Sequence, residues 1–156
     1  TEFGSKNNIP ISNEKIDDID KQFDLITAHQ VLEHVESPKL FLDSIVSKLK
    51  PGGVLHFELP NNLSLTSQFR KISPKSSYDY GFIQPPMHLR AYSKKTLKVF
   101  LKKHGLIVDQ IFTCGNNHHI WGQVRDYNFL QKFFFIASGF LNKGSLLVGL
   151  AKKNNV

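Results

Sequence analysis

The feature that most constrains the fold is residues 23–61, where two apolar, strand-like segments flank a stretch with helical periodicity. Residues 23–29 (FDLITAH) have the apolar and small side chains of a buried strand, and residues 54–59 (VLHFEL) predict a second strand. Between them, Ser37 is a residue type that caps helix N-termini, and Pro38 suits the first helical position. Apolar side chains then recur at near-helical spacing, at Leu40, Phe41, Ile45, Val46 and Leu49. This strand–helix–strand unit predicts an α/β domain.

The same alternation continues along the chain. Residues 50–53 (KPGG) end the first helix, and Ser93 and Gly105 bracket a second helix over residues 94–104. Two further strands are predicted, at residues 106–113 and 146–151. Such alternation predicts a mostly parallel sheet with helices on both faces. Ligands of such sheets bind beyond the carboxyl ends of the strands, so the loops after the first two strands are where we expect a site.

Three regions lack this alternation. Residues 1–22 are polar, with a candidate short strand at residues 8–12, and residues 1–5 resemble the scar of a cloning vector. Residues 63–92 are rich in Ser, Pro, Tyr and Gly and predict an irregular loop or lid on the substrate side. A phenylalanine-rich helix is predicted over residues 126–141.

The composition limits the class of protein and its partners. The 156 residues are enough for one domain with a hydrophobic core. The 20 lysines and arginines exceed the 13 aspartates and glutamates, which makes an acidic partner worth testing. Because these charges are scattered, we interpret them as solvated helix faces and predict neither a nucleic-acid nor a membrane partner. A single cysteine, Cys114, and the lack of a signal-like apolar run predict a reducing, cytoplasmic location.

Four motifs give the order of elements a more specific meaning. They are residues 31–35 (VLEHV), 49–53 (LKPGG), 60–61 (PN), and the pair 88–93 (HLRAYS) with 104–108 (HGLIV). In this order they resemble class I S-adenosylmethionine-dependent methyltransferases, which commonly have an LEH-like turn, a helix, LKPGG and a later histidine-to-serine stretch. The resemblance covers about residues 8–153.

The resemblance implies a partial Rossmann-like three-layer α/β sandwich, in which residues 146–151 form an antiparallel last strand beside residues 54–59. It also implies S-adenosylmethionine as cofactor. The family's fingerprint is a glycine-rich turn followed by an acidic residue that holds the ribose, and neither is present, since Gly4 is isolated. We therefore expect residues 23–153 to be the later half to two-thirds of a methyltransferase domain, without its first strands. Residues 1–22 would be a remnant, and this chain alone would bind the cofactor weakly or not at all.

The resemblance places candidate cofactor residues at the end of the first predicted strand and in the next turn. By position, the residues that approach the methionine part of the cofactor are Ala28, His29, Gln30 and Glu33. The alternative for His29 is a packed or water-bonded histidine, and for Glu33 it is a charge that stabilises a helix N-terminus. His34 is a candidate catalytic base, since histidine exchanges protons near neutral pH; a structural hydrogen bond is the alternative.

A second candidate base is His88, which resembles a histidine that related enzymes place near the acceptor. The alternative is a loop histidine bonded to backbone. Some family members hold a divalent cation with an E-x-x-E-H motif, but Gln30 replaces the first carboxylate here, so no metal is predicted. His118 and His119 are adjacent, point apart and make poor joint ligands. Aromatic side chains either line an acceptor pocket or form a small core under the loop: Tyr78, Tyr80, Phe82 and Trp121.

These observations leave three functions open. The first is methyl transfer from S-adenosylmethionine to an unidentified small-molecule acceptor in the parent protein, with this chain alone expected not to turn over. The second is a non-catalytic module that self-associates, because a sheet without its first strands has an open edge and uncovered apolar surface. The third is nucleic-acid binding on the basis of charge, although no binding motif is present.

Overall fold

A computed structural model of the chain describes residues 2–65, 67–68, 83, 85–114, 138 and 140–154. A short helix, a 3₁₀ turn and a strand come first, and the remaining elements alternate as the sequence predicts. Their bounds are α1 Glu2–Lys6, the 3₁₀ turn Ile16–Asp18, β1 Phe23–His29, α2 Pro38–Lys48, β2 Leu49–Pro60, α3 Lys94–Lys103, β3 Leu106–Cys114 and β4 Leu146–Lys153.

The strands form one sheet in the order β1-β2-β4-β3. β1 pairs with β2 in parallel, whereas β4 is antiparallel to both of its neighbours. The prediction that the last strand is antiparallel and lies beside the second predicted strand is therefore confirmed. Since β1, β2 and β3 run the same way, their carboxyl ends lie at one edge of the sheet, where α/β proteins bind ligands.

Both long helices begin where the sequence predicts, but α2 ends at Lys48, so Leu49, which was predicted to lie in the helix, begins β2. The Ser37 hydroxyl accepts a hydrogen bond from the backbone N–H of Leu40, at 3.4 Å, and Pro38 occupies the first turn of α2. Ser93 caps α3 through a reciprocal pair of side chain–backbone bonds with Thr96. The chain leaves α3 through Gly105, whose φ of 75° is the left-handed conformation that glycine adopts without steric cost.

The second strand starts earlier than predicted, at Leu49 rather than at residue 54. Phe23 pairs with Leu49, but the next pair is Leu25 with Val54, so residues 50–53 bulge out of the ladder opposite one residue of β1. Gly52 has a φ of 73° within this bulge. The KPGG turn is therefore present, but as an excursion within the strand because pairing resumes after it.

The core lies between α2, α3 and one face of the sheet. Strand alternation points Leu55, Phe57 and Leu59 of β2 to that face, where they join the buried leucines of both helices. A Cβ on Gly149 of β4 would lie 2.6 Å from the Phe57 ring, so glycine is needed there. An Asp43–His104 hydrogen bond of 2.7 Å ties α2 to the end of α3, which places the two helices side by side.

The opposite face of the sheet is apolar and open within the described part of the chain. Leu25 is 55% exposed, Ile107 is 56% exposed and Phe112 is 49% exposed. The register places Val54 beside Leu25 and Val148 beside Phe112, which extends this apolar surface across the strands. The predicted fold class is confirmed, and the described residues supply the sheet and one of the two helical layers.

The prediction of a short strand at residues 8–12 is wrong. That segment leaves α1 through a turn, in which Asn8 has a φ of 52° and the Ile9 N–H donates to the Gly4 carbonyl at 2.9 Å. Pro10 has no N–H to donate to a ladder, and none of the described strands pairs with the segment. No described helix is both long and apolar enough to cross a bilayer.

Several predictions lie outside the described residues. They concern most of the helix over 126–141, the adjacent His118 and His119, and the aromatic side chains Tyr78, Tyr80, Phe82 and Trp121.

Candidate active site

Three segments meet at the carboxyl edge of the sheet. Residues 31–36, here the β1–α2 turn, follow β1; Asn61 and Asn62 follow β2; and residues 87–92, here the strap, cross from one to the other. The backbone N–H groups of Leu89 and Arg90 donate to the Glu33 carbonyl at 2.9 and 3.3 Å. At its far end the strap accepts a bond of 2.8 Å from the Asn62 N–H to the Tyr92 carbonyl. The strap therefore brings a distant part of the sequence against both loops in which a ligand site was predicted.

The contact between strap and turn assembles a carboxylate and two imidazoles. The candidate ligand atoms of Glu33, His34 and His88 all lie within 4.8 Å of one another. His34 Nε2 is 3.8 Å from Glu33 Oε1, and the His34 and His88 rings meet edge to face with centroids 4.7 Å apart. Glu33 was predicted as a cofactor residue, and His34 and His88 as alternative bases. The structure makes them one cluster.

Glu33 is the buried member of the cluster. The residue is 1% exposed, and neither carboxylate oxygen has a hydrogen-bond partner among the described residues. Burial raises the pKa of this carboxyl above its ordinary value, an effect that its own backbone hydrogen bonding and the nearby His34 and His88 only partly oppose. An unpartnered buried carboxylate is costly to the fold, which is typical of residues kept for chemistry.

His34 is oriented by the strap. Its Nδ1 lies 2.7 Å from the Met87 carbonyl oxygen. A carbonyl accepts but does not donate, so Nδ1 carries the proton and, in the neutral ring, Nε2 carries the lone pair. Nε2 is also the nitrogen that faces Glu33. The geometry therefore presents the basic nitrogen of His34 to the cluster, as proton abstraction requires.

Gln30 lies outside this cluster. It follows β1 with a φ of 52°, a left-handed conformation that costs a residue with a Cβ about 1 kcal/mol or more. Its N–H donates to the Glu58 carbonyl at 2.8 Å and its side-chain amide donates to Glu58 Oε1 at 3.2 Å. These bonds hold the bend at the carboxyl end of β1, where the cofactor was predicted.

Ala28 and His29 point to opposite faces of the sheet. Ala28 is buried in the core under the helices, so its packing accounts for its small size. His29 is exposed on the open face, and its Nε2 lies 3.0 Å from Nδ1 of His56. The structure therefore does not bring these two predicted cofactor residues to the Glu33 cluster.

Sequence reasoning missed Arg90 and Tyr92 in the strap. The Arg90 guanidinium donates to the Val35 and Glu36 carbonyls, at 2.6 and 2.8 Å. The Tyr92 hydroxyl is buried without a partner among the described residues, and desolvation raises its pKa to about 12. Only the spacing from His88 within HLRAYS hinted that these residues belong to the site, because the carbonyl partners of Arg90 lie more than fifty positions earlier in the chain.

The cluster also contains ligand types of a divalent-cation site. One carboxylate and two imidazoles suit a cation such as Zn²⁺. Gln30, which replaces the first carboxylate of an E-x-x-E-H motif, directs its amide to Glu58. The prediction that no metal is used stays a prediction.

Comparison with known proteins agrees with the fold. A protein-family profile described as a methyltransferase domain matches residues 5–111. An S-adenosylmethionine-dependent methyltransferase from Thermotoga maritima superposes with a TM-score of 0.61 at 14% identity, over 97% of this chain and 67% of that one. One from Clostridium acetobutylicum superposes with a TM-score of 0.57 at 14% identity, over 98% of this chain and 69% of that one.

A curated relative matches the sequence over a shorter stretch. The ubiquinone biosynthesis O-methyltransferase of Histophilus somni is 36% identical over 74 residues, which are 42% of this chain and 31% of that protein. The chain thus matches about a third of this relative's length.

The sheet order, the antiparallel last strand and the site at the carboxyl edge define an α/β protein of Rossmann-like methyltransferase type. With the profile matching more than half of its residues, the chain belongs to the methyltransferase-domain family. The cofactor predicted for this family, S-adenosylmethionine, is confirmed at the level of the family.

Proposed function

We propose that the complete protein transfers a methyl group from S-adenosylmethionine to a hydroxyl oxygen of a small-molecule acceptor. The observation that carries the proposal is the cluster of Glu33, His34 and His88 at the carboxyl edge of a methyltransferase-type sheet. An acceptor hydroxyl must lose its proton as the new bond to carbon forms, and the cluster contains a base oriented for that task. The O-methyltransferase name of the Histophilus relative supports oxygen as the acceptor atom.

The polar side chains at the carboxyl edge of the sheet are of types that suit the methionine end of the cofactor. Glu33 has two buried carboxylate oxygens without partners, and a carboxylate stabilises a nearby sulfonium charge. Gln30 and Glu58 flank the same strand ends with polar side chains. When bound, the cofactor supplies an electrophilic methyl group on positively charged sulfur. Because residues 1–22 contain no glycine-rich turn, we expect this chain alone to bind it weakly or not at all.

Each member of the cluster has a distinct role in the proposed reaction. His34 Nε2 would accept the acceptor's hydroxyl proton as the oxygen takes the methyl group, and the electron pair of the broken carbon–sulfur bond would stay with the departing sulfur. The Glu33 carboxylate, 3.8 Å away, stabilises the resulting imidazolium. His88 packs edge to face on His34 and restricts the ring to the productive orientation.

Site-directed variants of the complete protein test these roles. With a panel of hydroxylated acceptors, His34→Gln should lower kcat by at least about 100-fold, the usual contribution of a general base. His56→Gln is the matched control, since it removes a histidine from the opposite face of the sheet at a position that was not predicted to contact the cofactor; its kcat should stay within about twofold of the wild type. Equal activity of His34→Gln and wild type would exclude His34 as the base.

Calorimetry on this chain tests the cofactor prediction separately. Titration with S-adenosylmethionine should show no saturable heat at micromolar concentration. Micromolar binding would show that the described residues form a sufficient cofactor pocket.

A second function, self-association, is favoured by the open face of the sheet. We propose that this chain pairs with another copy through that face or through the edge of β1 that pairs with no described strand. An apolar groove of about 440 Å³ beside β1, lined by residues such as Ile19, Leu25 and Phe41, adds to the surface that such pairing would cover.

A further inference from the structure

We propose that Arg90 is a positioning residue that clamps the strap to the β1–α2 turn and thereby fixes the tautomer of His34. This inference rests on the proposed function only for its consequence in catalysis, because the clamp itself is defined by hydrogen bonds within this chain. Arg90 does not reach the reacting atoms in the structure; it acts through Met87 and His34.

Arg90 binds two backbone carbonyls of the β1–α2 turn. Val35 and Glu36 immediately precede Ser37, the N-cap of α2, so their carbonyls lie outside the helix and receive no intrahelical bond. The guanidinium donates from Nη1 to Val35 at 2.6 Å and from Nη2 to Glu36 at 2.8 Å. Arginine suits this task because its planar fork holds two donor nitrogens at a fixed separation, whereas the donors of lysine all lie on one freely rotating nitrogen.

The clamp holds the part of the strap that bonds to His34. Arg90 lies three positions after Met87, whose carbonyl accepts the proton of His34 Nδ1 at 2.7 Å. The backbone N–H groups of Leu89 and Arg90 both donate to the Glu33 carbonyl. The same short segment thus binds the turn at four successive residues and places His88 on His34.

The Arg90 guanidinium lies close to the N-terminus of α2. A positive charge beside a helix N-terminus is disfavoured by the helix dipole, so stabilisation of α2 does not explain Arg90. Fixing the strap does explain it. If the strap loosens, the Met87 carbonyl leaves Nδ1, and both tautomers of His34 become accessible. The basic lone pair then spends part of its time on Nδ1, which faces away from Glu33.

The test measures the tautomer directly in this chain. Long-range ¹⁵N–¹H spectra distinguish Nδ1–H from Nε2–H histidine, and His34→Gln identifies the His34 signals. In the wild type we expect the Nδ1–H form to predominate. In Arg90→Ala the ratio of Nδ1–H to Nε2–H should fall at least about fivefold, the size expected for losing one neutral hydrogen bond. Arg90→Lys, which keeps one carbonyl bond, should give an intermediate ratio, and it also covers the case in which Arg90→Ala does not fold.

Lys153→Ala is the matched control. The Lys153 ammonium also donates to two backbone carbonyls, those of Val46 and Leu49, each at 2.7 Å, but at the opposite end of α2. Loss of Lys153 should lower the urea midpoint without changing the His34 tautomer. If Arg90→Ala leaves the His34 ratio unchanged, or if Lys153→Ala changes it equally, the proposed role of Arg90 is wrong.

A kinetic measurement separates this inference from the proposed function. In the complete protein, Arg90→Ala should lower kcat and leave the KM for S-adenosylmethionine within about twofold, because the clamp orients the base and not the cofactor. A changed tautomer in a protein that transfers no methyl group would refute the proposed function but not the clamp. Methyl transfer that is insensitive to Arg90, with an unchanged tautomer, would refute the clamp but not the function.

Discussion

At the scale of single residues, three acidic side chains show two contrasting environments. Asp24 and Asp43 are exposed and paired, and hydrogen bonds from Lys50 and Lys39 respectively lower their pKa values. Glu33 is buried without a hydrogen-bond partner for its side chain, and desolvation raises its pKa. Pairing would have stabilised the fold, so the environment of Glu33 favours the chemistry of the site over stability.

Glu33→Gln should therefore stabilise the chain at neutral pH, by about 1–3 kcal/mol, because it removes the cost of an unpartnered buried charge. The pH dependence follows from the sign of the pKa shift. A carboxyl whose folded pKa is raised has no penalty below its unfolded pKa, near 4.3; stability then falls as the pH rises toward the folded pKa. The variant should lack this loss. Urea unfolding between pH 4 and pH 8 measures it.

The matched control is Glu36→Gln, which removes the same charge from an exposed side chain in the same turn. Its unfolding free energy should change by less than about 0.5 kcal/mol. A destabilised Glu33→Gln would indicate that the carboxylate has a favourable partner, such as a bound cation.

At the scale of elements, local signals define where helices start. Ser93 and Thr96 form a reciprocal capping box at the start of α3, whereas Ser37 caps α2 with one long bond of 3.4 Å. The strands that follow each helix are held by pairing with distant partners. Helix starts are therefore sensitive to single side chains, and strands to the register of the whole sheet.

Ser93→Ala should lower the free energy of unfolding by about 1 kcal/mol, since it leaves helix N–H groups without their side-chain acceptor. Ser37→Ala should cost about 0.5 kcal/mol because its bond is longer. Thermal or urea unfolding of both variants gives the comparison. A larger loss for Ser37→Ala would contradict the difference in cap geometry.

At the scale of the whole molecule, the described residues cover one face of the sheet and leave the other open. Large apolar side chains, including Leu25 and Ile107, are more than half exposed on the open face. Surfaces of this kind mark contacts with another part of a protein or with another chain. Within the described residues this face is the chief reason to expect association.

Leu25→Lys should reduce self-association of this chain, because a charge on the open face at strand β1 cannot be buried without a partner. Sedimentation velocity over a range of concentrations should show dimers for the wild type and a shift toward monomer for the variant. Leu40→Lys is the control: Leu40 is 64% exposed, but it lies on α2, away from the open face. A wild type that is monomeric at all concentrations would remove this proposal.

The amino-acid sequence determined the local features of this protein. β1 has the predicted bounds, α2 and α3 begin at the predicted capping residues, and Gly105 ends α3 in the predicted conformation. These succeed because caps, glycine turns and apolar periodicity act over a few residues. The family resemblance supplied the antiparallel last strand. The strand predicted at residues 8–12 failed because a strand needs a partner, which no local pattern supplies.

Tertiary structure alone decided the composition of the site. Glu33, His34 and His88 were each proposed from the sequence, but only the strap shows that they form one cluster and that Ala28 and His29 do not join it. Beyond its place in HLRAYS, Arg90 had no sequence signal, because its carbonyl partners lie 54 and 55 positions away. The physical reason is that every residue has the same backbone carbonyl, so the sequence does not show which carbonyls Arg90 binds. Which of them meets a guanidinium depends on how the loops pack at the edge of the sheet.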